Sequence, residues 1–327
     1  MIVPRILSTG LFVPEKILTN DQLARQVETS DEWIYSHTGI RERRIAEENQ
    51  ATSDLAVAAG RQALDRAGLA ASQVDLILVA TSTPDYLGFP STASLVQQAL
   101  GAVNAGAMDV SAACTGFVYA LETARAFIVA GSARHVLVIG AEVFSRIIDW
   151  SDRNTCILFG DGAAAVLVGP SSADWADAWF APSVLRSDGA GGPALLRPAG
   201  GTRKPLADRP SELMVSMDGR RVYAFAITVV KDVILQILKQ NRLSLADVDW
   251  VVPHQANGRI VASAAHRLGF PLERFYVNME HYANTSGASI PLALAEMDQK
   301  AMLQRGQLIV TVGFGAGLTW GANLFRW

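Results

Sequence analysis

Three side chains of this 327-residue sequence could do chemistry together: the thiol of Cys114, the imidazole of His254 and the amide of Asn284. Cys114 lies in Ala112-Ala113-Cys114-Thr115-Gly116-Phe117. There a small Ser-Ala-Ala segment gives way to an apolar run, Phe117, Ala120, Leu121, Ala124, Phe127 and Ile128, spaced near one helical turn. The spacing predicts a helix from Cys114 to Ala130 with the sulfur at its start. Unpaired N–H groups and the positive end of the helix dipole favour thiolate there, although a free cysteine is commonly just a small buried hydrophobe. His254 and Asn284 belong to the polar stretches Pro253-His254-Gln255-Ala256-Asn257 and Ala283-Asn284-Thr285-Ser286-Gly287. A lone histidine or asparagine is more often structural than catalytic. Both stretches are read as sitting just after buried apolar runs, where an open parallel sheet presents its strand ends to ligands.

Two schemes use a thiol, an imidazole and an amide at one crevice. In a protease-like scheme His254 is the base for Cys114 and Asn284 orients the imidazole. In acyl transfer to carbon, Cys114 holds an acyl group as a thioester while His254 and Asn284 donate hydrogen bonds to a second thioester carbonyl and stabilise its enolate. Both require an oxyanion hole, which backbone N–H groups of Cys114 and of the turn Gly313-Phe314-Gly315-Ala316-Gly317 could supply.

The elements that must position these groups alternate along the chain. A first strand at Ile2–Leu7 precedes Ser30 and Asp31, which cap a helix carrying Trp33, and a basic turn, Gly39-Ile40-Arg41-Glu42-Arg43-Arg44, follows. Helices are predicted over 52–69 and 90–100, and buried strands at 76–80, 107–110 and 135–139, a pattern that argues for a mostly parallel sheet covered by helices. The order then repeats. Val74-Asp75-Leu76-Ile77 answers to Val248-Asp249-Trp250-Val251 at an offset of 174, and Leu100-Gly101 to Leu268-Gly269 at 168, which sets Asn284 opposite Cys114. Both halves end in a glycine turn. The expected organisation is two copies of one α/β unit, residues 1–172 carrying the nucleophile and 173–327 carrying the histidine and asparagine.

Composition excludes several classes. With 50% hydrophobic and 18% charged residues the chain is globular, and a net charge of −3 with scattered basic residues gives no field for nucleic acid. Two cysteines build no disulfide framework, and the start of the chain does not read as a signal peptide, so a cytoplasmic protein is expected. The apolar run 222–238 is broken by Lys231 and Asp232 and too short to span a bilayer. Residues 160–162 and 313–317 lead into strands rather than helices, so they are not nucleotide loops, and no ligand-spaced cluster predicts a metal. Cys156, in the strand-like Thr155–Phe159, reads as buried and inert.

At the level of whole motifs the chain resembles the β-ketoacyl-acyl carrier protein synthase III family. The resemblance rests on Thr29-Ser30-Asp31-Glu32-Trp33-Ile34, Thr38-Gly39-Ile40-Arg41-Glu42-Arg43, the Cys114 segment, Phe159-Gly160-Asp161-Gly162-Ala163, the His254 segment and Asn284-Thr285-Ser286-Gly287-Ala288-Ser289-Ile290-Pro291, in the same order from end to end. Elongating relatives carry a second histidine where Asn284 stands, and thiolases a second cysteine in the last glycine turn. The resemblance implies a thiolase-like fold, two duplicated α/β halves in α-β-α-β-α layers, with Cys114, His254 and Asn284 as the triad. It implies a decarboxylative Claisen condensation of an acyl-CoA with malonyl-acyl carrier protein, no cofactor beyond coenzyme A as part of the substrate, and a homodimer. Trp33 and Arg153 would hold the adenine end of coenzyme A, Asn257 would line the pantetheine tunnel, and Arg259 would sit at its mouth where the carrier docks. Phe89 would line the acyl pocket across the dimer interface. A specialised synthase or acyltransferase of secondary metabolism is the alternative, and a silent carrier-binding subunit the reading outside enzymes. Three positions depart from the family: His37 stands for a common arginine, Ala224 for a common lysine and Gly258 for a bulkier residue.

Overall fold

The computed structural model describes residues 2–171 and 179–327. The apolar runs at 76–80, 136–143 and 308–315 are buried along their whole length, as strands covered on both faces must be. They form the centres of two sheets. The first contains β1 (Pro4–Phe12), β2 (Leu76–Ala80), β3 (Gly106–Val110), β4 (Val136–Val143) and β5 (Asp161–Pro170), in the order β1-β5-β4-β2-β3. The second contains β6 (Val184–Ser187), β7 (Trp250–Pro253), β8 (Leu308–Gly315) and β9 (Thr319–Arg326), in the order β7-β8-β9-β6. Strands β3, β2 and β4 run parallel, as do β7 and β8, and every other pair within these two sheets is antiparallel. The sheets are thus mixed, not mostly parallel as the alternation suggested. In the second half the glycine turn reverses the chain into an antiparallel neighbour, and in the first half residues 144–160, with two short helical pieces, return the chain from β4 to antiparallel β5.

Among the described residues seven helices have eight residues or more: α1 (Asp31–Thr38), α2 (Thr52–Ala67), α3 (Thr92–Leu100), α4 (Gly116–Val129), α5 (Gly219–Gln240), α6 (Gly258–Leu268) and α7 (Ser289–Gln299). Helix α7 is buried almost all round, the signature of a helix with no solvent face. It shares one core with α4: Phe117, Leu121, Ile290 and Leu294 pack with Val138 and Val166 of the first sheet and with Val252, Ile309 and Phe325 of the second. Each fully buried large side chain in that layer contributes about 1.5–3 kcal/mol. Helices α2 and α3 cover the outer face of the first sheet, and α5 and α6 that of the second. The result is the α-β-α-β-α layering of a thiolase-like fold.

Local physics moves several element ends. Helix α2 stops at Ala67 because Gly68 takes a left-handed conformation, φ 62°. Helix α3 starts at Thr92, two residues after Pro90, where the Ser91 hydroxyl caps the Ser94 N–H. Residues Arg153–Cys156 form a short helix capped by Asp152, not a strand. Residues 222–238 lie within α5, whose buried face carries Val230, Val233 and Ile237. Among the described residues no helix is long and apolar enough to cross a membrane.

The sheets draw on residues 4–170 and 184–326, and the expected boundary at 172/173 falls outside the described residues. The internal equivalence needs correction. Ala113 and Ser286 both adopt φ 47°, each at the start of a three-residue 3-10 turn that leads directly into α4 or α7. The matching offset is 173, so Cys114 corresponds to Gly287 and not to Asn284. The segment from the helix-ending glycine to the turn is five residues longer in the second half, Gly269 to Ser286 against Gly101 to Ala113, and this displaces the alignment.

Candidate active site

The left-handed residue Ala113 swings the chain from β3 into the turn that carries Cys114, and α4 follows at Gly116. Hydrogen bonds from Thr319 Oγ1 to the Ala112 carbonyl (3.3 Å) and from Thr115 Oγ1 to the Thr319 carbonyl (3.1 Å) tie this turn to β9. Gly315 must be glycine for the same reason: a Cβ there would lie 2.7 Å from the Cys114 Cβ and 3.1 Å from its sulfur. The sulfur is nearly sealed from solvent, with Cys114 6% exposed. Burial pushes the thiol up to about 12, the Glu142 carboxyl adds to the rise, and the Ser286 hydroxyl and the cysteine's own N–H work against it. The resting nucleophile is therefore a thiol. Loss of hydration thus opposes the thiolate expected from its place at a helix start. Ser286 Oγ is buried against both the thiol and the Glu142 carboxyl without a well-formed hydrogen bond to either. Glu142 accepts from the Ser82 N–H (3.0 Å), Thr83 Oγ1 (2.6 Å) and the Gly287 N–H (3.3 Å), and burial raises its pKa.

His254 stands just beyond the end of β7, its N–H bonded to the Val312 carbonyl at 2.8 Å. The next residue locks the loop. Gln255 Nε2 donates to the carbonyls of Pro253 (2.8 Å) and Tyr276 (3.0 Å), and Oε1 accepts from the Asn278 N–H (3.1 Å). The imidazole packs edge-on to Phe314, with centroids 5.2 Å apart, and Nδ1 lies 2.7 Å from Ser289 Oγ. Burial without a carboxylate partner pulls its pKa down to about 3, so His254 is neutral at physiological pH.

Asn284 is sewn to the 158–160 segment through its own backbone, N–H to the Leu158 carbonyl (2.9 Å) and carbonyl to the Gly160 N–H (3.0 Å). Left-handed Ala283, φ 57°, and Ser286 flank it. Asn284 Oδ1 accepts the Ser286 N–H at 2.8 Å, which fixes the amide with its NH2 directed away from the turn. The group behind His254 is Ser289, so Asn284 does not fill the orienting role of the protease-like scheme. Cys114, His254 and Asn284 all line one cavity of about 930 Å3. It offers two neutral donors beside a thiol, the requirement for holding an enolate next to a thioester.

The cavity opens at Trp33, whose indole is stacked on His37 (centroids 4.3 Å apart) with the Arg153 guanidinium 5.0 Å from its centroid. Asn257 and Arg259 line the same mouth. Asn257 Nδ2 donates to the His37 carbonyl (3.0 Å), and Arg259 Nε to the Ser36 carbonyl (3.1 Å), clamping α6 against α1. Gly258 sits in that seam, where an added Cβ would be 3.3 Å from the Thr38 carbonyl oxygen. Ala224 is exposed on α5, one residue past the cavity-lining Tyr223. Phe89 is not at its own chain's cavity: it is 89% exposed on the loop between β2 and α3. The sequence reading gave no role to Ser286, Ser289 or Glu142. A serine opening the otherwise apolar α7 was the available signal for Ser289, whereas Glu142 lies inside an apolar strand run and announces nothing.

A buried cysteine opening a helix between two stacked sheets, with an imidazole and an amide supplied by the second half, defines a condensing enzyme of the thiolase-like class. Residues 108–195 match the 3-oxoacyl-[acyl-carrier-protein (ACP)] synthase III family and residues 238–327 its C-terminal family. The chain belongs to the β-ketoacyl-[acyl-carrier-protein] synthase III family. It is 47% identical to the enzyme of that name from Caldanaerobacter subterraneus subsp. tengcongensis, covering 100% of this chain and 98% of the relative. The crystal structure of 3-oxoacyl-[acyl-carrier-protein] synthase III from Aquifex aeolicus superposes with a TM-score of 0.91 at 42% identity, over 99% of this chain and 100% of that one. The priming β-ketosynthase of the R1128 polyketide pathway gives 0.92 at 35% identity, over 99% and 96%.

Proposed function

We propose that the chain initiates fatty acid synthesis by condensing an acyl-CoA primer with malonyl-acyl carrier protein. The convergence of Cys114, His254 and the oriented Asn284 amide on one cavity carries this reading. Cys114 attacks the acyl-CoA carbonyl, the C–S bond to coenzyme A breaks, and the thiol proton ends on the departing coenzyme A sulfur. Malonyl-carrier then loses CO2, and the electron pair of the broken C–C bond forms an enolate held by N–H donors of His254 and Asn284. The enolate carbon attacks the acyl-cysteine, the β-ketoacyl-carrier departs, and Cys114 recovers a proton from solvent. The N–H groups of Cys114 and of the turn after β8 are the donors for the acyl-cysteine oxyanion. Trp33 and Arg153 serve the adenine end of coenzyme A, and Asn257 and Arg259 its pantetheine path and the carrier. No cofactor is needed beyond the coenzyme A of the substrate.

The active species is a cytoplasmic homodimer, a reading supported by the exposed run Tyr86, Leu87 and Phe89 beside the open edge strand β3. Mass spectrometry after a short acyl-CoA, then after malonyl-carrier, tests the function. A Cys114 adduct that malonyl-carrier discharges is expected; no adduct with any acyl-CoA, or one that malonyl-carrier leaves in place, overturns it. The likeness to a polyketide priming enzyme favours a second reading with the same chemistry, and a strong preference for a carrier other than that of fatty acid synthesis would select it.

A further inference from the structure

We infer that Ser289 sets the tautomer of His254, holding its Nε2 as a permanent hydrogen-bond donor facing the cavity. Ser289 is the first residue of α7 and is buried, and its Oγ lies 2.7 Å from His254 Nδ1. The same oxygen accepts the Gln255 N–H at 3.4 Å. A hydroxyl has one proton, and among the described residues Nδ1 is the acceptor recorded for it. Were Nδ1 protonated instead, Ser289 Oγ would face two N–H donors and its own proton would be buried without an acceptor, an arrangement that native interiors avoid. The proton therefore runs from Ser289 to Nδ1, and the ring's own proton is on Nε2. Among the described residues no carboxylate stands behind the ring to draw a proton onto Nδ1, and the depressed pKa of His254 agrees with a neutral ring.

This deepens, and rests on, the condensing function proposed above. An Nε2–H imidazole donates to an enolate oxygen but cannot accept the Cys114 proton at that nitrogen, so His254 serves condensation and not acylation. Ser289 is thus a positioning residue for one half-reaction alone.

The test has two independent arms. In enzyme labelled with 15N-histidine, with the His254→Ala variant assigning the signal, the ring should show a protonated Nε2 and an unprotonated Nδ1 at pH 7.5. A protonated Nδ1 overturns the proposal, whether or not the enzyme condenses anything. In Ser289→Ala, acylation of Cys114 by a short acyl-CoA should stay within about twofold of wild type while condensation falls about tenfold or more, the scale of a displaced general acid–base or donor group. Ser289→Thr, which keeps the hydroxyl, should recover most of that loss. Equal loss in both half-reactions of Ser289→Ala, or no recovery in a folded Ser289→Thr, also overturns it. Failure of wild-type enzyme to acylate or condense would count against the proposed function and leave the spectroscopic arm intact.

Discussion

Two turns of the same type, Ala113–Thr115 and Ser286–Ala288, meet at the centre of the molecule and carry opposite contents. Each opens on a left-handed residue at φ 47° and feeds a helix of the shared central layer. In the first half the middle position holds the nucleophile, Cys114. In the second it holds Gly287, near the carbonyls of Ala80 and Ala113 and the carboxyl of Glu142. A duplicated scaffold thus delivers one thiol and, at the matching position, a residue with no side chain. The second half contributes instead from around its turn, with Asn284 two residues before it and Ser289 directly after. The lesson is that the pseudo-symmetry builds the chamber, while the chemistry depends on where the symmetry is broken.

The largest effect should come from changing what the second turn orients. In Asn284→Asp the side-chain oxygen still accepts the Ser286 N–H, but the cavity now faces a carboxylate in place of an amide donor. Condensation should fall about 10²–10³-fold, the usual loss when an oxyanion donor is removed, while acylation of Cys114 persists. An intact condensation rate would show that the second turn supplies scaffold only. The first turn is tested by Gly315→Ala, whose methyl would enter the space of the Cys114 Cβ. Displacing the sulfur should slow acylation about 100-fold, with a stability cost of about 1–3 kcal/mol from overpacking the turn. Wild-type acylation in that variant would mean that the turn has more freedom than its packing indicates.

How much of this was legible beforehand follows from the same contrast. Cys114, His254 and Asn284 were readable because each is a chemically distinct residue in a polar or small stretch beside an apolar run. The duplicated α/β organisation was readable from helix and strand alternation and its repetition, and the layering from the family resemblance. The offset was not, because the five extra residues between Gly269 and Ser286 are accommodated in a loop that includes the short helix Met279–Tyr282, and neither similarity at 74–77 nor at 100–101 registers them. The thiol's burial was not legible because it is a property of the assembled layers: Gly315, which closes over the sulfur, lies 201 residues further along the chain. Strand direction failed because the segments after β4 and β8 return the chain as an antiparallel neighbour without a crossover helix, which helix and strand alternation does not register.

The buried imidazole also leaves a mark on stability. His254 has a native pKa of about 3 against an ordinary 6.5, so the unfolded chain takes up a proton that the native state refuses between those values. The sign is that this contribution is complete above pH 6.5 and is lost as pH falls toward 3. At pH 4.5 the loss should be about 3 kcal/mol relative to pH 7.5, at about 1.4 kcal/mol for each pH unit below 6.5. His254→Asn should therefore show a smaller drop in urea midpoint between pH 7.5 and 4.5 than wild type, whatever its baseline stability. Parallel pH dependence in the two proteins would mean that the imidazole is hydrated in solution, and its burial against Phe314 and Ser289 would have to be redrawn.

The smallest effect belongs to the seam where the halves meet at the mouth. Gly258 of α6 faces Thr38 and Gly39 at the end of α1, and the bonds from Asn257 to His37 and from Arg259 to Ser36 cross on either side of it. A methyl at 258 would sit 3.3 Å from the Thr38 carbonyl oxygen, tight enough to move α6 by a few tenths of an ångström and no more. Both crossing bonds would lengthen, and the walls that receive coenzyme A would separate slightly. Cys114 and His254 are held by Gly315, Val312 and Ser289, none of which touches this seam. Gly258→Ala should accordingly raise KM for acyl-CoA about threefold with kcat unchanged, the pattern of lost uniform binding. A fall in kcat at unchanged KM would show that the mouth and the chemical centre move together, and the separation between scaffold symmetry and chemical asymmetry would have to be redrawn to include α1 and α6.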